Sequence, residues 1–343
     1  MITIADVAKS AGVSVATVSR VMNHSGLVAE PTAKKVRAAI QELTYVPNEQ
    51  ARNLRRNESR TVLVLLPNIT NPYYANIYSG INEKAQELGY GLLMCNTEGK
   101  GLKETLSGAI EGKRADGAIL LAIDREDSWI EQCGRDFPIV QCCEHAEGCD
   151  TPYVSVDNYK AGYEATRYLV ELGHRKIGTI SSTNHFASTR LRMKGFNDAL
   201  RDAGLKADRR FIGYADERYS YFSSLKAAKK IFSCGELPDA LFCIGDSLAM
   251  SAVVAANEMG ISVPGQVSII GFDDVMYTNM IHPYLTTIVQ PCVELGRSAM
   301  DMLCTVMSGS ELSTRAVVLP HGFIVRESTS AALKGAASAG GEE

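Results

Sequence analysis

The chain has 343 residues, of which 45% are hydrophobic, so it can bury a sizeable core and is too long for one small domain. It contains no run of 18 apolar residues, and MITIADVAKS lacks the basic-then-apolar pattern of a secretory signal; a cytoplasmic protein without a membrane span is expected. The net charge of −4 is unevenly spread: residues 1–56 carry eight basic and four acidic side chains, and the rest holds the balance of −8. A basic head on an acidic body is the arrangement of a nucleic-acid module joined to something else.

The head reads as three short helices. Ile4, Val7, Ala8 and Ala11 fall on one helical face, Thr3 is a fitting N-cap, and Gly12 a fitting terminator. Ser14 caps a second helix two residues later, and two short helices about a tight glycine turn form a helix-turn-helix pattern. In that second helix Val18, Val21 and Met22 point inward, leaving Val15, Ala16, Ser19, Arg20 and Asn23 on another face that holds no acidic group. An arginine there can bridge guanine O6 and N7 in a major groove. Thr17, Ser19 and Asn23 are short donors suited to phosphate oxygens. The leading positions, Val15 and Ala16, lack side-chain hydrogen-bonding groups and suit thymine methyls. An ordinary three-helix bundle with a solvated outer face is the competing reading. The third helix carries Val36, Ala39, Ile40 and Leu43 inward, with Pro31 in its first turn.

Pro47 ends that helix, Asn48 can cap another, and EQARNLRR is helix-permissive but too short to be stable alone. Its one large apolar residue, Leu54, lies among Arg52, Arg55 and Arg56. This fits a minor-groove wedge, or equally a linker anchored on the body.

After Arg60, apolar runs alternate with helical stretches. Strands are expected at 61–67, 91–96, 117–123, 138–143 and 153–157, then at 176–182, 211–215, 240–246, 267–273 and 285–290. Continuous apolar strands separated by helices imply parallel sheets covered on both faces, and two series imply two lobes. Ligands bind beyond the carboxyl ends of such strands. Asn71, Tyr73 and Tyr74 follow the first strand; Cys143 and Glu144 end the fourth; Arg192 starts a helix; Asp246 and Asp273 end two strands of the second series, and Asp216 follows another. Asp246 and Asp273 can instead cap the next helices, and the tyrosines can be rim packing.

Nine scattered cysteines do not form a disulfide framework. The densest cluster, QCCEHAEGC, has no CxxC spacing and reads as buried thiols rather than a metal site. GDSL at 245–248 occurs in a hydrolase family, but no Asp-x-x-His follows to supply a base, so no enzyme is expected. Neither GxxxxGK(S/T) nor GxGxxG is present, and no cofactor is expected.

TIADVAKSAGVSVATVSRVMN and YVPNEQARNL, followed by TNPYY, VSVDN, YLVELGHRKIG, RMKGF, FCIGDSLAM, VPGQVSIIGFDD and LTTIVQP, together resemble the LacI/GalR family of bacterial transcription regulators over nearly the whole chain. RRNESRTVLVLLPNITNPYY is most similar to the cytidine-responsive repressors of that family. The resemblance implies a multidomain protein: an all-α helix-turn-helix head at 1–46, a hinge helix and linker at 47–60, and an α/β two-lobed, periplasmic-binding-protein-like body with parallel sheets. One lobe would take 61–158 and 291–319, the other 159–290 and 320–331, with crossings near 157–161, 288–292 and 318–322. A disordered tail would follow at 332–343.

The resemblance further implies a homodimer on a double-stranded, pseudo-palindromic operator. Val15, Ala16 and Arg20 would read bases and Leu54 would wedge the central step. Thr3, Ser14, Thr17, Ser19, Asn23, Asn48, Ala51 and Arg55 complete the expected DNA-contacting set. A small sugar or nucleoside would bind between the lobes to Asn71, Tyr73, Tyr74, Cys143, Arg192, Asp246 and Asp273. One departure is Ala29, where relatives often place a serine cap on the third helix. The tail AALKGAASAGGEE lacks the leucine heptad of tetrameric relatives, so a dimer is expected.

Overall fold

The computed structural model describes residues 2–23, 26, 28–45, 58–97 and 101–332. Two compact units result, Met1–Ser59 and Arg60–Glu343.

The first unit holds α1 (Ile4–Ala11), α2 (Val15–Met22) and α3 (Glu30–Glu42). Thr3 and Asp6 form a reciprocal capping box at the start of α1, each side chain bonding the other residue's backbone. Gly12 ends α1 at φ 65, a left-handed conformation that costs glycine little and turns the chain directly into α2. Ser14 caps α2 by accepting the Thr17 N–H at 3.2 Å. Ala29 gives α3 no side-chain cap, so that helix begins without the bond a serine would supply. Val7, Ala8, Val18, Val21, Ala33, Val36 and Ala39 form the shared core.

The second unit is built on two six-stranded sheets. The first contains β1 (Thr61–Leu66), β2 (Gly91–Asn96), β3 (Gly117–Leu120), β4 (Ile139–Cys142), β5 (Tyr153–Val156) and β11 (Ala316–Leu319), in the order β11-β5-β4-β3-β1-β2. The second contains β6 (Ile177–Ser182), β7 (Ile212–Ala215), β8 (Ala240–Cys243), β9 (Ser268–Asp273), β10 (Thr286–Val289) and β12 (Gly322–Ile324), in the order β12-β10-β9-β8-β6-β7. The first sheet is parallel throughout. The second is parallel except at its edge, where β12 runs antiparallel to β10. β1 shows why the apolar runs are continuous: Val62, Val64 and Leu66 enter one core, Leu63 and Leu65 another, so both faces are covered.

The covering helices are α4 (Pro72–Leu88), α5 (Leu102–Glu111), α6 (Trp129–Asp136), α7 (Asn158–Glu171), α8 (Ala187–Asp202), α9 (Tyr221–Phe232), α10 (Asp246–Glu258) and α11 (Cys292–Met307). The chain passes from β5 into α7, from β10 into α11, and from β11 into β12, and so changes sheets three times. Helices α4 and α11 cross at close range: a Cβ at Gly80 would strike the Val293 carbonyl, and one at Gly296 the Ile77 carbonyl. Helices α7 and α8 repeat the device, with Gly162 against the Arg192 backbone and Gly195 against Tyr159.

Candidate functional sites: a recognition helix and an interlobe cleft

In the head, the outer face of α2 is open. Val15, at 39% exposure, stands beside exposed Ala16 and Arg20, while Val18 and Val21 are buried beneath. Asn23 donates from Nδ2 to Ser19 Oγ at 3.2 Å, and Thr17 Oγ1 lies 2.9 Å from Ser14 Oγ, so the short polar side chains pair along the helix. No acidic residue lies within α2, and its first-turn N–H groups can face a phosphate. Thr3 is exposed, with its hydroxyl donating to Asp6 at 2.7 Å. Asn48, Ala51, Leu54 and Arg55 lie outside the described residues.

In the body, the carboxyl ends of β1, β4, β8 and β9 converge on a small cavity of about 20 Å³. Asn71 caps α4 by accepting the Tyr73 N–H at 3.1 Å, and Pro72 fixes the first turn, which turns Tyr73 and Tyr74 toward the second lobe. The two rings meet edge to face at 5.2 Å. The Tyr73 hydroxyl donates to Gln290 Oε1 at 3.3 Å, and Gln290 Nε2 donates to Asp273 Oδ1 at 2.7 Å. Arg192 Nε donates to Asn158 Oδ1 at 2.8 Å and Nη1 to the Ile244 carbonyl at 2.6 Å. Its guanidinium lies 3.6 Å from the Phe272 ring centre and 3.9 Å from Asp273 Oδ1.

Burial raises the Asp273 carboxyl to about 6, against the pull of Arg192. Burial raises Glu144 to about 7, opposed by its hydrogen bonds from Ser188. Both tyrosine hydroxyls are pushed well up by burial and remain phenols. A larger cavity, about 660 Å³, shares Asn71, Tyr219 and Ser247 with the small one and adds Phe222, Met250 and Tyr277.

Of the expected effector residues, Asn71, Tyr73, Tyr74, Arg192 and Asp273 line the small cavity. Asp246 does not. Its oxygens accept from Thr287 Oγ1 at 2.7 Å and the Val275 N–H at 2.9 Å, so it ties α10 to the strand end and loop beside it. Burial and the nearby Asp273 push its carboxyl well up. Cys143 is buried at φ 71 with its Sγ 3.6 Å from Cys142, and is also outside the lining. Asp216 is used in a turn, accepting from Arg218 and Ser220. The lining adds Glu144, Ser188 and Tyr219. Gln290, missed from sequence, had a signal: a polar residue ending an apolar strand just before Pro291.

Residues 3–48 fit the model for bacterial regulatory proteins of the lacI family, and 166–329 a periplasmic binding protein-like domain. The repressor CytR of Escherichia coli K12 is 35% identical over 331 residues, 96% of this chain and 96% of that protein. This chain belongs to the LacI family. A second LacI-family relative, the repressor PurR of Photobacterium profundum, is 34% identical over 96% of this chain and 98% of its own length. The crystal structure of the Lac repressor dimer bound to operator and the anti-inducer ONPF superposes with a TM-score of 0.87 at 26% identity, covering 96% of this chain and 99% of that one. These LacI-family proteins are transcriptional regulators, and so is this chain; it is not an enzyme. In GDSL, Asp246 is committed to Thr287 and Val275, while Ser247 lines both cavities.

Proposed function

We propose that the protein is a ligand-responsive repressor that binds a pseudo-palindromic DNA operator as a homodimer, with a small sugar or nucleoside as effector between the lobes. The observation that carries this reading is the open face of α2, where Val15, Ala16 and Arg20 stand exposed with no acidic neighbour in the helix. Val15 and Ala16 contact thymine methyls, Arg20 supplies a directional contact to guanine, and Thr3, Ser14, Thr17, Ser19 and Asn23 hold phosphates. Leu54, flanked by Asn48, Ala51 and Arg55, reads the deformability of the central step.

Two half-sites require two heads. Met280 (63% exposed) and Met276 (58%) in the second lobe, and Leu93 and Met94 on β2, are exposed apolar side chains available to a second copy. In the cleft, tyrosine faces suit a sugar or base, and Asp273 and Arg192 suit hydroxyls. The chain divides into a head at 1–46, a hinge at 47–60, lobes of 61–158 with 291–319 and 159–290 with 320–331, and a tail at 332–343. Among the described residues no helix is long and apolar enough to cross a membrane; a DNA operator as partner would place the protein in the cytoplasm.

Removal of residues 1–60 abolishes specific operator binding on this reading; a truncated protein that still selects its operator would overturn it. Thermal shift against a panel of sugars and nucleosides identifies the effector, since a ligand at 100 times its Kd stabilises by about 2.7 kcal/mol.

A further inference from the structure

The lobes are stitched together along one side of the cleft. Glu144, just past β4 of the first sheet, accepts the Ser188 N–H at 3.1 Å and is bonded by the Ser188 hydroxyl, on the first turn of α8 in the second lobe. Nearby, Arg190 pairs with Glu147, and the Arg125 N–H donates to the His185 carbonyl at 3.3 Å. The Arg190–Glu147 pair is exposed and screened by solvent, whereas Glu144 is only 6% exposed. Helix α8 has Phe186 at its N-cap, with no side-chain cap and no acidic residue in its first turn. A carboxyl group from the opposite lobe therefore does the work that an N-cap side chain does elsewhere.

We infer that Glu144 is a cross-lobe latch: by capping α8 it holds the inner end of the cleft shut, and an effector must displace it from Ser188 to reach Arg192 and Asp273 there. The inner cavity of about 20 Å³ accommodates one water, whereas the adjoining cavity of about 660 Å³ is of small-molecule size, so the latch closes the inner end and leaves the outer part open. What the latch means for an effector rests on the cleft reading above; the latch itself does not.

The latch responds to protons. The groups facing Glu144 are Arg192 on α8, Asp124 beyond β3, Tyr74 on α4 and Tyr219 ahead of α9, with Asp273 across the cavity. Arg192 is already engaged by Asn158 and Ile244 and does not hydrogen-bond Glu144. Burial in the closed cleft lifts Glu144 from the ordinary 4.5 to about 7. The closed form thus binds a proton more tightly than the open one, so closure is strongest at the acid end and weakens as pH rises through 7. The neutral acid keeps both contacts, donating to Ser188 Oγ and accepting the N–H.

Hydrogen exchange of the full-length protein, without effector or DNA, tests this. After correction for intrinsic rates, protection of the amides at 187–190 falls about tenfold from pH 6 to pH 8 in the wild type. Glu144→Gln, which mimics the neutral acid, keeps the protection; Asp273, at about 6, leaves it at most about a twofold slope. Glu144→Ala loses protection at both pH values while β8 stays protected, and Ser188→Ala loses part of it. A flat wild-type profile overturns the latch, as does wild-type protection in Glu144→Ala; if that variant does not fold, the slopes of wild type and Glu144→Gln decide alone. A failed effector reading shows differently, as no thermal shift with any sugar or nucleoside while the exchange pattern persists.

Discussion

The head buries Val7, Ala8, Val18, Val21, Ala33, Val36 and Ala39, with nothing larger than valine among them, whereas the second lobe is centred on Phe196, Phe211, Phe242 and Phe272. Small side chains let three short helices approach closely and present α2 on a thin scaffold. Large ones fill the wider space between sheet and covering helices. The contrast extends to the sites. The recognition face lies within ten consecutive residues, while the cleft gathers side chains from Asn71 to Gln290.

The strongest way to sharpen this contrast is truncation of each core. Phe242→Ala costs the body about 3–5 kcal/mol, and Val36→Ala costs the head about 2 kcal/mol. Calorimetry should resolve two transitions, with each variant moving only its own; a single transition shifted by both would break the division. A smaller effect comes from the recognition surfaces. Arg20→Ala weakens operator binding by about 1–3 kcal/mol at fixed salt, and relaxes selectivity at one base pair. Leu54→Ala costs more than Val15→Ala if sequence choice leans on the hinge; the reverse order would place the emphasis on α2. The smallest effect is a gain: Ala29→Ser supplies the missing cap of α3 and raises head stability by about 0.5–1 kcal/mol in thermal melts.

The head was legible because its signals are local. Thr3, Gly12 and Ser14 each act on neighbours within a few residues, and the 3.6-residue spacing of the valines names the buried face. Strands β1 to β10 were legible as apolar runs, the edge strands β2 and β7 included. β11 and β12 were not, because their runs are short and weakly buried: AVVL alternates exposed and half-buried positions, and GFI spans three residues. The cleft was legible in part. Strand ends mark where ligand groups can stand, but not which way a side chain turns. Asp246 turns inward to Thr287 because a backbone N–H and a hydroxyl await it there. Ser188 sits within a stretch without polar periodicity, and only the partner lobe's Glu144 gives it a role.

The glycines at the two helix crossings bear on how this sequence would read among its relatives. Gly80, Gly296, Gly162 and Gly195 leave no room for a methyl group, and each faces backbone rather than a flexible side chain. Such positions tolerate almost no substitution, yet none of the four lines either cavity. In a survey of natural variation they would stand out as sharply as ligand contacts. A map of the cleft drawn from invariance would therefore be pulled toward the helix crossings, and chemistry would be needed to separate the two.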